Sequence, residues 1–333
     1  MKNKLLIIAE GGVNHNGNLS LAKKMISSSK QCGADYIKFQ YYITENLILK
    51  KSKLANYQKK NSIKKTNQYD LLKKLELKQD QVYELVKFAN KIKQKIFFSI
   101  FDEESFNFIN SFNFDYIKIP SGEIDNYPLL NAISKKKNKI ILSTGMSNLN
   151  EIKKALKILK SNIIPKEYIN ILHCNTEYPS PIIDINMNSM NTLRKKLNVN
   201  VGYSDHSNSS EVPIVATSLG AKFIEKHFTL NRKLSGPDHK SSLIPKEFKS
   251  MVKKIRNTEI ILGSSEKKLS SSESNNIRIV RKSIVASTEI KKGEILNEKN
   301  ISIKRPGTGI PASSFYKVLG RKSKKNYKKN QQI

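Results

Sequence analysis

The sequence predicts a TIM, or (β/α)8, barrel followed by a small β-rich domain. Three observations carry this. Eight short runs rich in Ile, Val, Phe and Tyr alternate with amphipathic stretches over residues 1–263, and alternating β and α units build a parallel sheet. Eight such units in about 250 residues is the size of a closed barrel. No G-x-G-x-x-G follows the first run, which argues against an open, dinucleotide-binding sheet.

The elements follow in order. The first strand run, Leu5–Glu10, is followed by the polar turn G-V-N-H-N-G and a helical pattern over Leu19–Gln31. The second run is Ala34–Gln40. The polar, lysine-rich insert Lys50–Asn67 behind it reads as a long loop, and a helix is expected at Gln79–Lys91. Runs at Lys95–Ile100, Asp115–Ser121 and Lys139–Gly145 are paired with helical patterns at Glu103–Ser111, Tyr127–Lys135 and Leu149–Lys160. The last three runs, Tyr168–Cys174, Val199–Asp205 and Ala221–Phe228, precede helices at Met187–Lys196, Ser210–Leu219 and Lys246–Leu262. Residues 264–276 are Ser, Lys, Glu and Asn with few apolar side chains, and read as a linker. Residues 277–333 hold the run Ser283–Ala286, a turn at Lys292–Gly293 and R-P-G-T-G at Arg305–Gly309. A domain below about 60 residues is marginal alone, so this one is expected to pack on something else.

Composition narrows the function. Of 333 residues, 38% are apolar and 26% charged, enough to bury a core. The two cysteines, Cys32 and Cys174, imply no disulfide framework and suit the reducing cytoplasm. The apolar run at the N-terminus is too short for a membrane span and lacks a small-residue cleavage site, so neither a signal peptide nor a membrane role is expected. The net charge of +32 attracts polyanions. But the lysines are spread along the chain with abundant Asn, Ile and Ser, the composition of an AT-rich genome. No nucleic-acid-binding signature accompanies them, so no nucleic acid partner is expected. The general positive field still favours a small anionic substrate.

The active site of a TIM barrel lies at the C-terminal ends of its strands. Here the strand runs end in Glu10, Lys38 and Gln40, Ser99, Lys118 and Ser121, Ser143, Cys174 to Tyr178, Ser204 to His206, and Glu225 with His227. A barrel built for stability alone would not need polar groups there repeatedly. His206 and His227 end neighbouring strands about 4.8 Å apart, within reach of one divalent metal. His15, His173 and His239 lack such a pairing and read as loop or supporting residues, with Asn14 and Asn16 as capping residues beside His15. Lys38, Lys118, Ser121 and Ser143 offer a phosphate site, charge from the lysines and donors from the hydroxyls. A strand-end lysine forming a Schiff base, as in a class I aldolase, is the competing chemistry.

Nine strings carry a resemblance. They are I-I-A-E-G-G-V-N-H-N-G-N at 7–18, A-D-Y-I-K-F-Q at 34–40, Y-I-K-I-P-S-G-E at 116–123 and I-L-S-T-G-M at 141–146. L-H-C-N-T-E-Y-P-S-P at 172–181, G-Y-S-D-H-S at 202–207, I-E-K-H-F-T at 224–229, G-P-D-H-K-S-S-L at 236–243 and R-P-G-T-G-I at 305–310 follow. In this order they closely resemble the sialic acid synthase family over almost the whole chain. The resemblance implies a TIM barrel, a linker and an antifreeze-like (SAF) domain, in a domain-swapped homodimer whose SAF domain caps the partner's active site.

The resemblance also implies roles. His206 and His227 match metal ligands, for Mn2+ with Mg2+ as the alternative. Glu10 matches an acid beside the metal and the attacking water. Lys38, Lys118, Ser121, Ser143 and Ser204 match a phosphoenolpyruvate site. Gln40, Tyr178, Glu225 and Asp238 match sugar-binding positions, Glu123 is a further substrate-binding candidate, and Arg305 matches an arginine that meets the sugar N-acyl group. The implied reaction condenses phosphoenolpyruvate with an N-acylated amino hexose to a nine-carbon 2-keto acid. The hexose is N-acetylmannosamine or a 2,4-diacetamido-2,4,6-trideoxyhexose, and the second is favoured. Two departures stand out. Ile100 and Phe101 follow Ser99 where relatives often carry Thr and Pro, so Ser99 is expected to substitute. The order Asn175-Thr176-Glu177 leaves the contacting side chain open. A non-catalytic polyanion-binding protein is the third reading, suggested by charge alone.

Overall fold

A computed structural model describes residues 4–54 and 67–333 of the chain, so most of the Lys50–Asn67 insert, residues 55–66, lies outside the described residues. The chain divides into two compact units, Met1–Gly263 and Ser264–Ile333.

The first unit is a closed eight-stranded parallel barrel, as the alternating runs predicted. Its order is β1 Leu6–Gly12, α1 Leu19–Gln31, β2 Tyr36–Tyr41, α2 Thr44–Leu47, α3 Gln68–Leu75, α4 Gln79–Lys91, β3 Lys95–Ile100, α5 Glu103–Ile109, β4 Ile117–Ile119 and α6 Tyr127–Ser134. Then come β5 Ile140–Ser143, α7 Leu149–Leu159, β6 Ile169–Cys174, α8 Ser189–Leu197, β7 Asn200–Asp205, α9 Val212–Ser218, β8 Phe223–His227 and α10 Pro245–Leu262. The helices form where apolar residues recur at helical spacing behind a cap. In α1, Asn18 accepts from the Leu21 amide, and Ala22, Met25, Ile26 and Ser29 form the buried stripe. In α7, Asn148 and Glu151 make a reciprocal capping box, and Ile152, Ala155, Leu156 and Leu159 are buried. The helix α3 was not anticipated, although its Asn67 cap and the spacing of Leu71, Leu72 and Leu75 signal it.

Strand side chains alternate between two buried environments. Ile7, Ala9, Ile37, Phe39, Ile117, Ile119, Val201, Tyr203 and Ile224 face the helices in the main core. Ile8, Tyr36, Phe97, Ile141, Leu172 and Phe223 fill the barrel interior as a separate apolar plug. Burial on both faces explains why the strand runs read as continuous apolar stretches. One interior position must stay bare. A Cβ on Gly202 would fall 2.5 Å from the Phe223 carbonyl oxygen and 2.8 Å from Leu172 Cδ2. The plug closes the lower barrel, so the next inward residues along each strand form a floor under the open C-terminal mouth.

The second unit begins with residues the sequence assigned to a linker. Ser271–Glu273 is a 3-10 turn and α11 spans Ser274–Val280. The reciprocal Ser270–Glu273 capping box starts them, and the sequence carries its S-x-x-E signature. β9 Ser283–Ala286 pairs antiparallel with β10 Ile301–Lys304, and α12 spans Phe315–Val318. Ile284, Ala286, Ile290, Leu296, Ile301, Val318 and Tyr327 form a small core of its own.

Candidate active site

Directly above the apolar plug the inward positions turn polar: Glu10 on β1, Lys38 on β2, Ser99 on β3, Lys118 on β4, Ser204 on β7 and Glu225 on β8. All six are buried. They floor a cavity of about 380 Å³ at the barrel mouth. Two carboxylates and two ammonium groups interlock there. Lys38 Nζ lies 2.7 Å from Glu10 Oε2 and 3.6 Å from Glu225 Oε2, and donates to Ser99 Oγ at 2.7 Å. Lys118 Nζ donates to Glu225 Oε1 at 3.2 Å, and Ser204 Oγ donates to the same oxygen at 2.8 Å.

This network sets the charges. Burial works against Glu225 as an anion, but Lys118 and Lys38 outweigh it and bring its carboxyl down to about 2. Burial raises Glu10 above the ordinary carboxylate range, with Lys38 opposing and Glu225 adding to the rise. Burial disfavours the Lys38 cation, yet its two carboxylates raise it. Lys118 moves down instead, because burial and the like charge of Lys38 outweigh Glu225. The floor carries roughly balanced charge, and an incoming anion must compete with Glu225 for both lysines.

The two histidines rise beside this floor. Their ring centroids are 5.3 Å apart, with the planes 70° from one another. His206 Nδ1 is held by the Asn175 carbonyl, and its Nε2 is 3.2 Å from Ser204 Oγ. The carbonyl fixes Nδ1 as the donor, so Nε2 keeps a lone pair. Burial lowers His206 to about 4, and burial with the neighbouring His206 and Lys38 holds His227 well below the ordinary range. Both imidazoles are therefore neutral near pH 7. His227 Nδ1 is buried with no hydrogen-bond partner, and the Asp238 carboxylate stands 3.8 Å away. Two neutral imidazoles, one with an orphaned nitrogen, fit a divalent cation as a donor pair. Among the described residues no group of three or more His, Cys, Asp or Glu converges to hold a metal, so the remaining donors would be water or substrate.

The other sequence-derived positions divide. Gln40, Ser121, Glu123, Ser143 and Tyr178 line the cavity with the floor and the histidines. Tyr178 stacks on His206 at 4.1 Å and meets His227 edge-on at 5.4 Å. Ser121 Oγ accepts from the Gly145 amide at 3.0 Å, and Glu123 Oε2 from Asn126 at 2.7 Å. Asp238 is buried and faces His227, itself a cavity-lining residue. Burial, with Glu10 adding, raises Asp238 to about 7. Arg305 is exposed in the second unit. Of the open triplet, Thr176 lines the cavity, while Asn175 turns its side chain back to the Glu177 amide. Ser99 accepts from Lys38 and retains its own O–H to donate. His15 accepts from the Gly17 amide, and the helix cap beside it is Asn18 rather than Asn14 or Asn16.

Two features escaped sequence reading. Glu225, placed at the sugar by resemblance, is also the counterion of both floor lysines, a pairing of strands distant in sequence. The cavity also has an apolar side. Tyr42, Leu47, Leu72 and Phe101 line it and belong to a satellite cluster with Val13 and Leu75.

Residues 25–267 match the model of the NeuB family, and residues 281–333 match that of the SAF domain. The N,N'-diacetyllegionaminic acid synthase of Campylobacter jejuni is 46% identical over 99% of each chain. The protein of the same name from Legionella pneumophila is 41% identical, covering 96% of this chain and 90% of its own. A crystal structure of N-acetylneuraminic acid (sialic acid) synthetase from Leptospira borgpetersenii, in complex with citrate, superposes with a TM-score of 0.71. Its sequence is 33% identical, and the match covers 83% of this chain and 90% of that one.

Proposed function

We propose, since this chain belongs to the NeuB family and carries a SAF domain behind its barrel, that it is a synthase condensing phosphoenolpyruvate with an N-acylated amino hexose. The product is a nine-carbon sialic-acid-type 2-keto acid, with inorganic phosphate released. The observation that carries this reading is the Lys38–Glu225–Lys118 floor beside the neutral His206–His227 pair. Two lysines with hydroxyls from Ser121, Ser143 and Ser204 suit the phosphate and carboxylate of phosphoenolpyruvate. The relatives named as diacetyllegionaminic acid synthases favour a 2,4-diacetamido-2,4,6-trideoxyhexose over N-acetylmannosamine.

The chemistry balances without a covalent enzyme adduct. The enol carbon of phosphoenolpyruvate attacks the open-chain sugar aldehyde, whose oxygen takes up a proton. Water adds at C2 and loses a proton. The C2–O bond to phosphate then breaks as the C2 hydroxyl gives its proton to the departing phosphate, leaving the ketone. Glu10, with its raised carboxyl, suits the proton transfers at that water. Lys38 and Lys118 neutralise the substrate's anionic groups throughout. His206 and His227 would hold a divalent cation, Mn2+ or Mg2+, which supplies Lewis acidity at the aldehyde oxygen when bound. The remaining parts of the proposal are a homodimer in which the SAF domain caps the partner's site, with Arg305 meeting the sugar N-acyl group, and a cytoplasmic location. No helix among the described residues is long and apolar enough to cross a membrane.

The deciding experiment incubates the protein with phosphoenolpyruvate, Mn2+ and each hexosamine, and identifies the product by mass. The diacetamido sugar is expected to give the larger yield of keto acid, with stoichiometric phosphate. No phosphate release with either sugar would sink the proposal. A borohydride-trapped lysine adduct would replace it with the Schiff-base alternative, for which Lys118, lowered from the ordinary lysine range, is the residue to examine.

A further inference from the structure

Asp205 and Lys226 alternate with the site residues and point away from them. Along β7 and the residue that follows it, Ser204 and His206 turn to the site and Asp205 turns out. On β8, Glu225 and His227 turn in and Lys226 turns out. The outward pair meets between strand and helix layers. Lys226 Nζ lies 2.7 Å from Asp205 Oδ2, and both side chains are almost wholly buried. Asp205 Oδ1 accepts from the Ser207 amide at 2.9 Å and from Ser207 Oγ at 2.7 Å. Lys226 also donates to the Ser207 carbonyl.

The surrounding strand positions in this layer, Val201, Tyr203, Ile224 and Phe228, are apolar. A buried ion pair in such a place does little for stability that packed apolar side chains would not do as well or better. Its placement gives it another task. It grips the residues on both sides of His206 and joins them to the residue directly before His227. The far side of His227 is fixed separately. The Phe228 amide donates to the Glu10 carbonyl at 2.7 Å, and the Leu243 amide donates to the His227 carbonyl at 2.9 Å. Asn14 Nδ2 donates to the Phe228 carbonyl at 2.9 Å. The β1 side of His227 is thus tied by backbone; on the β7 side the backbone ladder ends at Asp205 and Lys226, and the Lys226 side chain carries the tie past it to Ser207.

We propose that the Lys226–Asp205–Ser207 brace is a positioning device that sets the separation of the two imidazoles so that they can share one divalent cation. This rests on the metal reading given above. Groups that hydrogen-bond metal ligands directly typically cost 10–100-fold in metal affinity when removed; the brace acts through the backbone beside the imidazoles, and productive geometry is held to about 0.5 Å.

The test replaces the ions with apolar side chains of similar length in the double variant Asp205→Leu/Lys226→Met. Two readouts are taken, Mn2+ binding by electron paramagnetic resonance and crystal structures of metal-free wild type and variant. The expected result is a folded protein with Mn2+ affinity weaker by about 10–100-fold, phosphoenolpyruvate binding unchanged, and imidazoles displaced by more than about 0.5 Å. Wild-type Mn2+ affinity and ring positions in the folded variant would overturn the brace. If the double variant does not fold, Ser207→Ala, which removes one bond to Asp205, takes both readouts; a severalfold loss is expected and wild-type values overturn the proposal. A wild-type protein that takes up no Mn2+ removes the metal reading, while the metal-free ring positions still judge the brace.

Discussion

Glu225→Gln should turn the floor of the site into an unsatisfied cation trap. In the wild type, Glu10 and Glu225 oppose Lys38 and Lys118. The substitution keeps the shape and an acceptor for Ser204 but leaves two buried ammonium groups facing one carboxylate. Removing one partner of a buried pair costs about 3–5 kcal/mol. At about 2–4 °C per kcal/mol for a domain of this size, the melting temperature should fall by about 6–20 °C in buffer free of multivalent anions. Inorganic phosphate should restore more stability to the variant than to the wild type, because it no longer competes with Glu225. A saturating anion at 100 times its Kd contributes about 2.7 kcal/mol. The acid limb should change too. Glu225 sits at about 2 in the fold against an ordinary 4.5, so its contribution is complete above the ordinary value and lost as pH falls toward 2. The variant should lack that part of acid destabilisation. Thermal melts followed by circular dichroism, with and without phosphate from pH 7 to pH 2, read all three effects. A variant melting within about 2 °C of wild type without phosphate, under 1 kcal/mol, would refute the reasoning.

His206→Ala and His227→Ala should each abolish metal-dependent phosphate release while leaving the melting temperature nearly intact. A phosphate-release assay checks this, and full wild-type activity after chelation would argue against the metal role. Gly202→Ala should lower stability by about 1–3 kcal/mol, since its Cβ would sit 2.5 Å from the Phe223 carbonyl oxygen. Denaturant titration should show an earlier midpoint with unchanged slope; an unmoved midpoint contradicts the close packing. Arg305→Ala should raise KM for the amino sugar more than for phosphoenolpyruvate, and equal effects in steady-state kinetics would contradict its proposed place.

The fold was legible because a barrel writes itself locally. Each strand buries both faces and each helix buries a stripe, so the two periods alternate eight times along the chain. The termini of α1 and α4 and the whole of β3 follow directly from that pattern. The helix α3 is hard to read in a lysine-rich stretch where the Asn67 cap and a short stripe of Leu71, Leu72 and Leu75 are its signals. The site was legible to the same extent. Polar residues at strand ends can be counted from the sequence, so Glu10, Lys38, Lys118, His206 and His227 stood out.

What those residues do to one another could not be read in the same way. Asp238 faces the His227 imidazole, Glu225 neutralises two lysines, and Lys226 reaches Asp205 behind the histidines. The sequence determined which groups line each strand, because alternation is a property of neighbouring residues. Which groups meet was decided only when the barrel closed. Closure sets β8 between β1 and β7, and distances of a few ångströms between residues as far apart in sequence as Lys38 and Glu225 then fix their charge.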